Sequence, residues 1–346
     1  LQDVCQVGIL LLTGNFILFL IIGVVCTIAG NICMSGTADR LFPYLKEECR
    51  EKLPEAERKD ILKNVKAMFM HKLGNVVVNN TDNLLISSFV GVVSAGIYSN
   101  YYLLIGSVRQ VLDQALQGVA ASVGHLGVTE DKEKISDVFE QLFFVGYWMY
   151  GFAGICLFEI LNPFVELAFG EQYLFQRNIV LILCINFFIN GMRKAVLIFK
   201  ESMGRFWYDR YKALAEAVLN LSISILLVKN LDVWDVFAGT FCSTVLTSVW
   251  VEPCILYKYR FHRPVKEYFK TYVAYLLMMA AAWSLTEGIC HLIRGGIFTQ
   301  LFLRGLVCVT VPNLLLWLIF HQTEKWKRLA GLLKKIVKKV RKSFRR

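Results

Sequence analysis

The sequence predicts an all-α, polytopic membrane protein, and two observations support this fold class. The chain has 346 residues, of which 56% are hydrophobic, and its mean hydropathy of +0.50 is high for a soluble protein of this length. Apolar stretches of about 20 residues, the length that an α-helix needs to cross a bilayer, recur along the chain. We place nine membrane spans at residues 14–34, 65–90, 96–123, 139–163, 176–199, 208–228, 234–257, 269–291 and 299–320.

The basic residues predict the orientation of these spans. Most of the 38 lysines and arginines fall in segments that lie on one side if nine spans alternate, namely 36–66, 125–138, 193–212, 258–270 and 321–346. The positive-inside rule therefore predicts a cytoplasmic C-terminus and a location in the cytoplasmic membrane. The last segment also has an apolar face opposite its basic residues. We expect it to bind anionic membrane lipids as an amphipathic helix, and not nucleic acid.

The sequence contains no pattern typical of a metal site, a cofactor or an enzyme. Its ten cysteines and five histidines show no ligand spacing such as C-x-x-C or H-x-x-x-H. We find no nucleophile paired with a base and no glycine-rich phosphate loop, and the predicted extracytoplasmic loops are short. We therefore expect no bound metal, no cofactor and no enzymatic activity.

The second predicted span carries an unusual polar stripe. Its polar side chains Lys72, Asn75, Asn79, Asp82 and Asn83 fall within an arc of about 100° when the span is drawn as a helix. An ionised side chain at mid-bilayer costs about 2.5 to 3.5 kcal/mol on insertion scales, so this face should avoid lipid. The pattern indicates a helix that lines a water-filled cavity, as in a transporter.

The third predicted span also places polar groups deep in the membrane. Tyr102, Arg109 and Asp113 share one face, with Gln110 beside them, and Arg109 lies about 20 Å from the cytoplasmic end. In the sixth span, Glu216 must either pair with a cation or titrate.

Two interpretations of these ionic groups remain open. Arg109 could pair with Asp113, and Lys72 with Asp82 or Asp113, simply to hold the bundle together. Alternatively, the two cations line a cavity and bind an anionic group. In either case Asp82, Asp113 and Glu216 are candidates for coupling transport to an ion.

Three stretches resemble a known family: FPYLKEE at 42–48, TDNLLISSFVGVVSAGIYSNYYLLI at 81–105, and WVEPCILYKYRF at 250–261. They are similar to the polysaccharide transporter family of the multidrug/oligosaccharidyl-lipid/polysaccharide exporter superfamily, which includes the O-antigen and capsule flippases. The resemblance implies two six-helix lobes around a V-shaped cavity, usually followed by two additional helices.

The resemblance also implies a division of the chain. Residues 1–35 would be the last helix of the first lobe, with five further helices expected before it. The other parts would be a cytoplasmic linker at 36–64, a complete second lobe at 65–258, two additional helices at 259–320 and a basic tail at 321–346.

The family implies a cargo and a mechanism: export of a polyprenyl-diphosphate-linked oligosaccharide by alternating access. On this basis Lys72 and Arg109 are expected to bind the diphosphate. Hydrogen bonds to the sugars would come from Asn75, Asn79, Asn83, Tyr102 and Gln110. Enzymes of polysaccharide assembly are the expected protein partners.

Three alternatives have other functions. A cation-coupled drug exporter of the same superfamily is the nearest, and it would require one of the acidic candidates to titrate. A membrane polysaccharide polymerase or ligase is more distant. The third is a scaffold that does not transport and recruits glycosyltransferases through the linker and the basic tail.

Overall fold

A computed structural model describes residues 2–46, 54–129, 132–203, 211–227, 232–324 and 326–331. Throughout these residues the regular structure is helical, and no β-strand occurs among them. The α-helices are α1 Gln2–Thr13, α2 Phe16–Leu41, α3 Glu55–Leu85, α4 Val92–Gln117, α5 Ala120–Thr129, α6 Lys132–Phe169, α7 Arg177–Met192, α8 Lys194–Ser202, α9 Lys212–Leu227, α10 Val233–Leu246, α11 Ser248–Leu256, α12 Lys266–His291 and α13 Ile297–Phe320.

In the described part of the chain, six helical segments are long and apolar enough to cross a membrane. They are Phe16–Leu41, Glu133–Phe169, Arg177–Ser202, Val233–Phe261, Lys266–His291 and Ile297–Phe320. The protein is therefore an all-α, multi-pass membrane protein, as the sequence predicted.

The three other predicted spans also coincide with helices, but these do not meet the same criterion of length and hydropathy. Span 65–90 lies in α3 and in the π-helical turn Ile86–Val90 that follows it, and span 96–123 lies in α4 and α5. Span 208–228 includes α9. The polar stripes that identified α3 and α4 as candidate cavity helices also lower their hydropathy.

The described chain separates into two compact units, with the boundary between Asp60 and Ile61. In the first unit, α1 and α2 form a hairpin through a turn at Gly14 and Asn15. The Asn15 side chain accepts a hydrogen bond from the Ile17 backbone N–H at 2.9 Å and so caps α2. Helix α1 was not among the predicted spans, because twelve residues are too short to cross a bilayer.

The division predicted at residue 64 falls inside a continuous helix, since α3 runs without a break from Glu55 to Leu85. The central part of the predicted linker and most of the predicted basic tail lie outside the described residues. All of the predicted domain boundaries stay predictions.

In the second unit, the long helix α6 packs against α4, α7, α8, α12 and α13. Its buried face is aromatic, and the rings of Tyr147 and Tyr275 stack with centroids 4.2 Å apart. Further along α6, the Trp148 indole N–H donates to Asn313 Oδ1 of α13 at 2.7 Å. This burial of large rings fixes α12 and α13 against the rest of the unit.

In two of the membrane segments the α-helix is interrupted at one residue. Arg193 separates α7 from α8, and Thr247 separates α10 from α11. Pro253 lies inside α11, and a π-helical turn, Tyr257–Phe261, follows. Helix irregularities of this kind frequently occur at functional sites.

Candidate functional site

A cavity of about 460 Å³ lies within the second unit, between α3, α4 and α6 to α10. Its walls carry many polar groups although the surrounding helices are apolar. Three of its lining residues are basic and three are acidic: Arg109, Arg193 and Lys194, and Asp82, Asp113 and Glu216. Which of these six residues form ion pairs with each other determines which charges remain available to a ligand.

Arg109 is the cation without a counter-ion in this cavity. Its side chain is partly buried, and its Nε is buried without a hydrogen-bond acceptor. Among the described residues, no carboxylate lies within ion-pairing distance of its guanidinium group. Because an uncompensated charge is costly at this depth, Arg109 is a candidate to bind an anion.

Asp113 accepts hydrogen bonds from two residues on other helices. Lys194 Nζ donates to Asp113 Oδ2 at 2.7 Å, and the Tyr150 hydroxyl donates to Oδ1. The ring of Tyr150 fits only because residue 191 is glycine, since a Cβ there would lie 2.0 Å from the ring. The structure thus pairs Asp113 with Lys194, and not with Arg109 four residues earlier on α4.

Arg193 and Lys212 both bind Glu252, whose side chain is completely buried. Arg193 Nε donates to Glu252 Oε2 at 3.0 Å, and Nη2 donates to Oε1 at 2.8 Å. Arg193 Nη1 also donates to Asn190 Oδ1 at 2.8 Å. This bidentate geometry satisfies the guanidinium group within the protein, so Arg193 is not available to a ligand in the way that Arg109 is.

Glu216 belongs to the same group of charges. It accepts hydrogen bonds from the hydroxyls of Thr244, at 3.1 Å, and Ser248, at 2.6 Å. Its carboxylate lies 3.8 Å from Arg193 and 3.9 Å from Lys212. Arg193 and Lys212 therefore compensate the two buried carboxylates, and Glu216 is one of the paired acids.

Asp82 differs from the other two carboxylates of the cavity. It is buried and accepts a hydrogen bond from the Thr240 hydroxyl at 2.8 Å. Within the described ranges, no lysine or arginine forms an ion pair with it. Asp82 is therefore a buried acid whose charge nothing in the described structure neutralises.

The structure brings together only part of the predicted set. Tyr102, Arg109, Asp82, Asp113 and Glu216 line the cavity of 460 Å³. Gln110 lines a neighbouring cavity of about 340 Å³ on α4, which shares Tyr102, Arg109 and Asp113 with the first.

The other predicted residues are on α3. Lys72 and Asn83 are exposed and are not among the residues that line either cavity. The side chains of Asn75 and Asn79 lie outside the described residues. The functional assignments of all these positions stay predictions.

Sequence reasoning missed Lys194, which we had counted among the basic residues of the cytoplasmic segment 193–212. A signal was present, because Asn186, Asn190 and Lys194 recur at i, i+4 and i+8 and all three line the cavity. Tyr150 and Thr240 gave no such signal. Their roles depend on contacts with residues that are distant in the sequence.

Comparison with known proteins supports the resemblance seen in the sequence. Residues 24–176 match a family model described as polysaccharide biosynthesis protein. The matched range includes Asp82, Arg109 and Asp113 of the cavity. Neither a curated protein nor a solved structure matches the chain. The match indicates a role in polysaccharide biosynthesis or transport, and it is consistent with a polysaccharide transporter family.

Proposed function

We propose that the protein is a flippase, not an enzyme, and that it translocates a polyprenyl-diphosphate-linked oligosaccharide across the cytoplasmic membrane by alternating access. The single observation that carries this proposal is Arg109, an unpaired cation in a polar cavity formed by membrane helices. A diphosphate requires such a cation. The similarity to polysaccharide biosynthesis proteins indicates which diphosphates to consider.

Two cations at contact distance would hold a diphosphate head group. At an effective dielectric constant near 20, a cation about 4 Å from a phosphate charge contributes roughly 4 kcal/mol before desolvation. Lys194 is a second cation in the same cavity, although a phosphate would have to compete with Asp113 for it. The cavity volume of about 460 Å³ is within the usual range for ligand sites of about 300 to 1,000 Å³.

We assign the hydrogen bonds to the sugars to side chains that line the two cavities. Tyr102 and Gln110 offer a hydroxyl and an amide next to Arg109. Lys72, Asn75, Asn79 and Asn83 of α3 remain candidates from the sequence pattern. The polyprenyl chain would stay in the bilayer, because its transfer from lipid into a polar cavity would be unfavourable.

We also propose the orientation and the partners that were expected from the sequence. The C-terminus would be cytoplasmic, with the basic tail on anionic lipids, and polysaccharide-assembly enzymes would act on the exported product. Near the start of this tail, Arg328 forms an ion pair with Asp137 of α6 at 3.3 Å. This contact would hold the tail close to the end of the bundle.

The test is to count the lipid-linked oligosaccharide on each leaflet in cells that carry the wild type, Arg109→Ala or Arg109→Lys. We expect Arg109→Ala to abolish export and Arg109→Lys to retain part of it, because the lysine keeps the charge but not the planar fork. Arg263→Ala is the matched control, since Arg263 lies outside both cavities and makes a surface ion pair with Glu133.

Membrane levels and thermal stability of each variant show whether folding is intact. Normal export by a folded Arg109→Ala variant would reject the proposal. Lys72→Ala, measured in parallel, tests the prediction from the sequence separately. Loss of export in that variant would support a role for Lys72 outside the cavity lining.

A cation-coupled drug exporter is the second candidate, and one observation favours it. Asp82 is a buried carboxylate that no described cation neutralises, as expected of a group that takes up an ion during transport. The test is efflux of lipophilic cations. Efflux that is unchanged in Arg109→Ala and lost in Asp82→Asn would favour this function over the flippase.

A further inference from the structure

The side chains of Gln110, Gln114 and Gln117 form one polar face of α4, which we call the glutamine face. We propose that this face binds the sugar chain of the cargo, with the diphosphate at Arg109 and at least two sugar units extending towards the C-terminal end of α4. The inference rests on the proposed function and adds to it the direction and the minimum length of the bound chain.

The glutamine face is continuous, because its three residues recur at i, i+4 and i+7. At about 100° per residue their side chains fall within an arc of about 60°, and the helix rises by about 10 Å from the first to the last. All three line the cavity of about 340 Å³ on α4. They therefore form a single strip and not three separate polar positions.

The three amides have no partner in the described part of the chain. Their side chains are exposed and form no hydrogen bond with another described residue. They belong to the predicted span 96–123, where contact between a side-chain amide and lipid would be unfavourable. The residues that α4 buries against its neighbours are others, namely Tyr98, Tyr101, Ile105 and Leu116. A polar ligand in the cavity would satisfy the amides.

The glutamine face begins next to the candidate anion site. Gln110 follows Arg109 directly in the chain, and both line the cavity of about 340 Å³. Arg109 also lines the larger cavity of about 460 Å³, so the strip leads out of the space where the diphosphate is expected. A cargo whose diphosphate contacts Arg109 would therefore bring its first sugar within reach of Gln110.

The chemistry of the face matches a neutral sugar chain. A glutamine amide offers two donors and an acceptor oxygen, so it can both donate to sugar hydroxyls and accept from them. Asp113, the acid that lines the same cavity, is already paired with Lys194. Among the described lining residues Arg109 is the only cation, so a second anionic group would find no partner along the glutamine face.

The spacing of the amides sets the length of the chain that they can bind. Along the helix axis, Gln114 lies about 7.5 Å and Gln117 about 12 Å beyond Arg109. A first sugar attached to a diphosphate at Arg109 would reach Gln110, whereas a contact with Gln117 requires a longer chain. The site should therefore distinguish a carrier with one sugar from a carrier with the complete oligosaccharide.

Gly106 leaves room for the head group beside Arg109. It lies one turn before Gln110 on the same side of α4 and lines the same cavity. Nothing lies within 4 Å of a Cβ built at this position, so helix packing does not require a glycine there. Glycine inside a helix is destabilising relative to alanine. Its presence is explained if the diphosphate and the first sugar occupy the open space above it.

The test compares the export of two carriers by cells that contain the protein: polyprenyl diphosphate with the first sugar alone, and with the complete oligosaccharide. Cells that lack the enzyme for the second sugar accumulate the first carrier. We expect the double variant Gln114→Ala, Gln117→Ala to export the complete carrier about tenfold more slowly, because each lost hydrogen bond weakens binding several-fold. Export of the single-sugar carrier should be unchanged.

Gln322→Ala is the matched control, since Gln322 is an exposed glutamine that lines neither cavity. Gly106→Leu is a second test variant, because its side chain would fill the space above the helix. We expect it to keep its melting temperature and to stop export of both carriers. Normal export of both carriers by a folded Gly106→Leu variant would overturn the inference.

Equal slowing of both carriers by a folded double variant would also overturn the inference, and it would leave the proposed function intact. Export that does not depend on the wild-type protein for either carrier would instead reject the proposed function. Should the double variant fail to fold, competition between the two carriers for the purified wild-type protein gives a second measurement. The complete carrier should bind about tenfold more tightly, and equal affinities would overturn the inference.

Discussion

Arg193 donates two parallel hydrogen bonds to Glu252, from Nε to Oε2 at 3.0 Å and from Nη2 to Oε1 at 2.8 Å. The arginine lies at the junction of α7 and α8, and the glutamate lies inside α11. The pair therefore joins two interrupted membrane helices at the wall of the cavity. This pair holds the two interruptions together, because Glu252 is completely buried and the guanidinium group of Arg193 is bonded to Glu252 and Asn190.

The first prediction is that Glu252→Ala destabilises the protein strongly. The change would leave Arg193 and Lys212 buried without their main counter-ion, and removal of one partner of a buried pair typically costs about 3 to 5 kcal/mol. The measurement is the free energy of unfolding in detergent. Glu133→Ala is the control, since its ion pair with Arg263 is exposed and should contribute less than about 1 kcal/mol. Equal stabilities for the two variants would contradict the assignment.

The second prediction concerns Lys194 and Asp113. Lys194→Ala leaves the Asp113 carboxylate unneutralised in the cavity, where it would repel a phosphate. At about 8 Å and an effective dielectric constant near 20, like charges repel by roughly 2 kcal/mol. This corresponds to roughly 30-fold weaker binding. We expect export to fall accordingly and to recover in part when Asp113→Asn is added.

Leaflet-specific counts of lipid-linked oligosaccharide measure this effect. The Asp113→Asn single variant shows whether the carboxylate is itself required for export. No recovery in the double variant, with both proteins folded, would mean that Lys194 acts on the cargo directly and not by neutralising Asp113.

The third prediction is that Gly191→Ala disturbs the site through Tyr150. The new Cβ would lie 2.0 Å from the Tyr150 ring, which must move and weaken its hydrogen bond to Asp113. Overpacking of this kind costs about 1 to 3 kcal/mol. Gly288→Ala is the control, since nothing lies within 4 Å of a Cβ there and alanine is the better helix former. Melting temperatures should therefore fall in the first variant and not in the second.

The fourth prediction compares two adjacent tyrosines of α4. The Tyr101 hydroxyl donates to Asn162 Oδ1 at 2.7 Å and accepts from the Phe175 backbone N–H at 3.0 Å. Tyr101→Phe leaves these two groups without a partner, which should cost about 1 to 3 kcal/mol. Tyr102→Phe should leave the free energy of unfolding unchanged, because that side chain is half exposed. A chemical or thermal unfolding series measures both, and a stable Tyr101→Phe variant would contradict this account.

The membrane spans could be predicted from the sequence because they depend on local composition. A stretch such as Ile297–Phe320 is apolar and long enough by itself, whatever it packs against. The same reasoning identified Arg109, Asp113 and Asp82, since a charge inside an apolar span is unusual wherever the span lies. Their depth could be counted along a helix, but their partners could not.

The partners could not be predicted because the chain brings them from far away. Lys194 is 81 residues from Asp113, and Glu252 is 59 residues from Arg193. The first pairing replaces the local i, i+4 pair of Arg109 with Asp113 that the helix pattern of α4 had suggested. Which charged residues form ion pairs and which remain unpaired depends on how the helices rotate and pack. The spacing of polar residues along the sequence does not contain that information.

By itself, the sequence determined that this is an all-α membrane protein and that several of its helices carry charges that cannot face lipid. Hydrophobic length and the cost of a buried charge are properties of single segments, so they can be read without coordinates. Only the tertiary structure decided that Arg109 stays unpaired in a cavity while Arg193 is neutralised, and that Asp82 accepts a hydrogen bond from Thr240 and has no cation beside it among the described residues. The physical reason is that neutralisation requires two groups within about 4 Å of each other, and for residues on different helices only packing determines that distance.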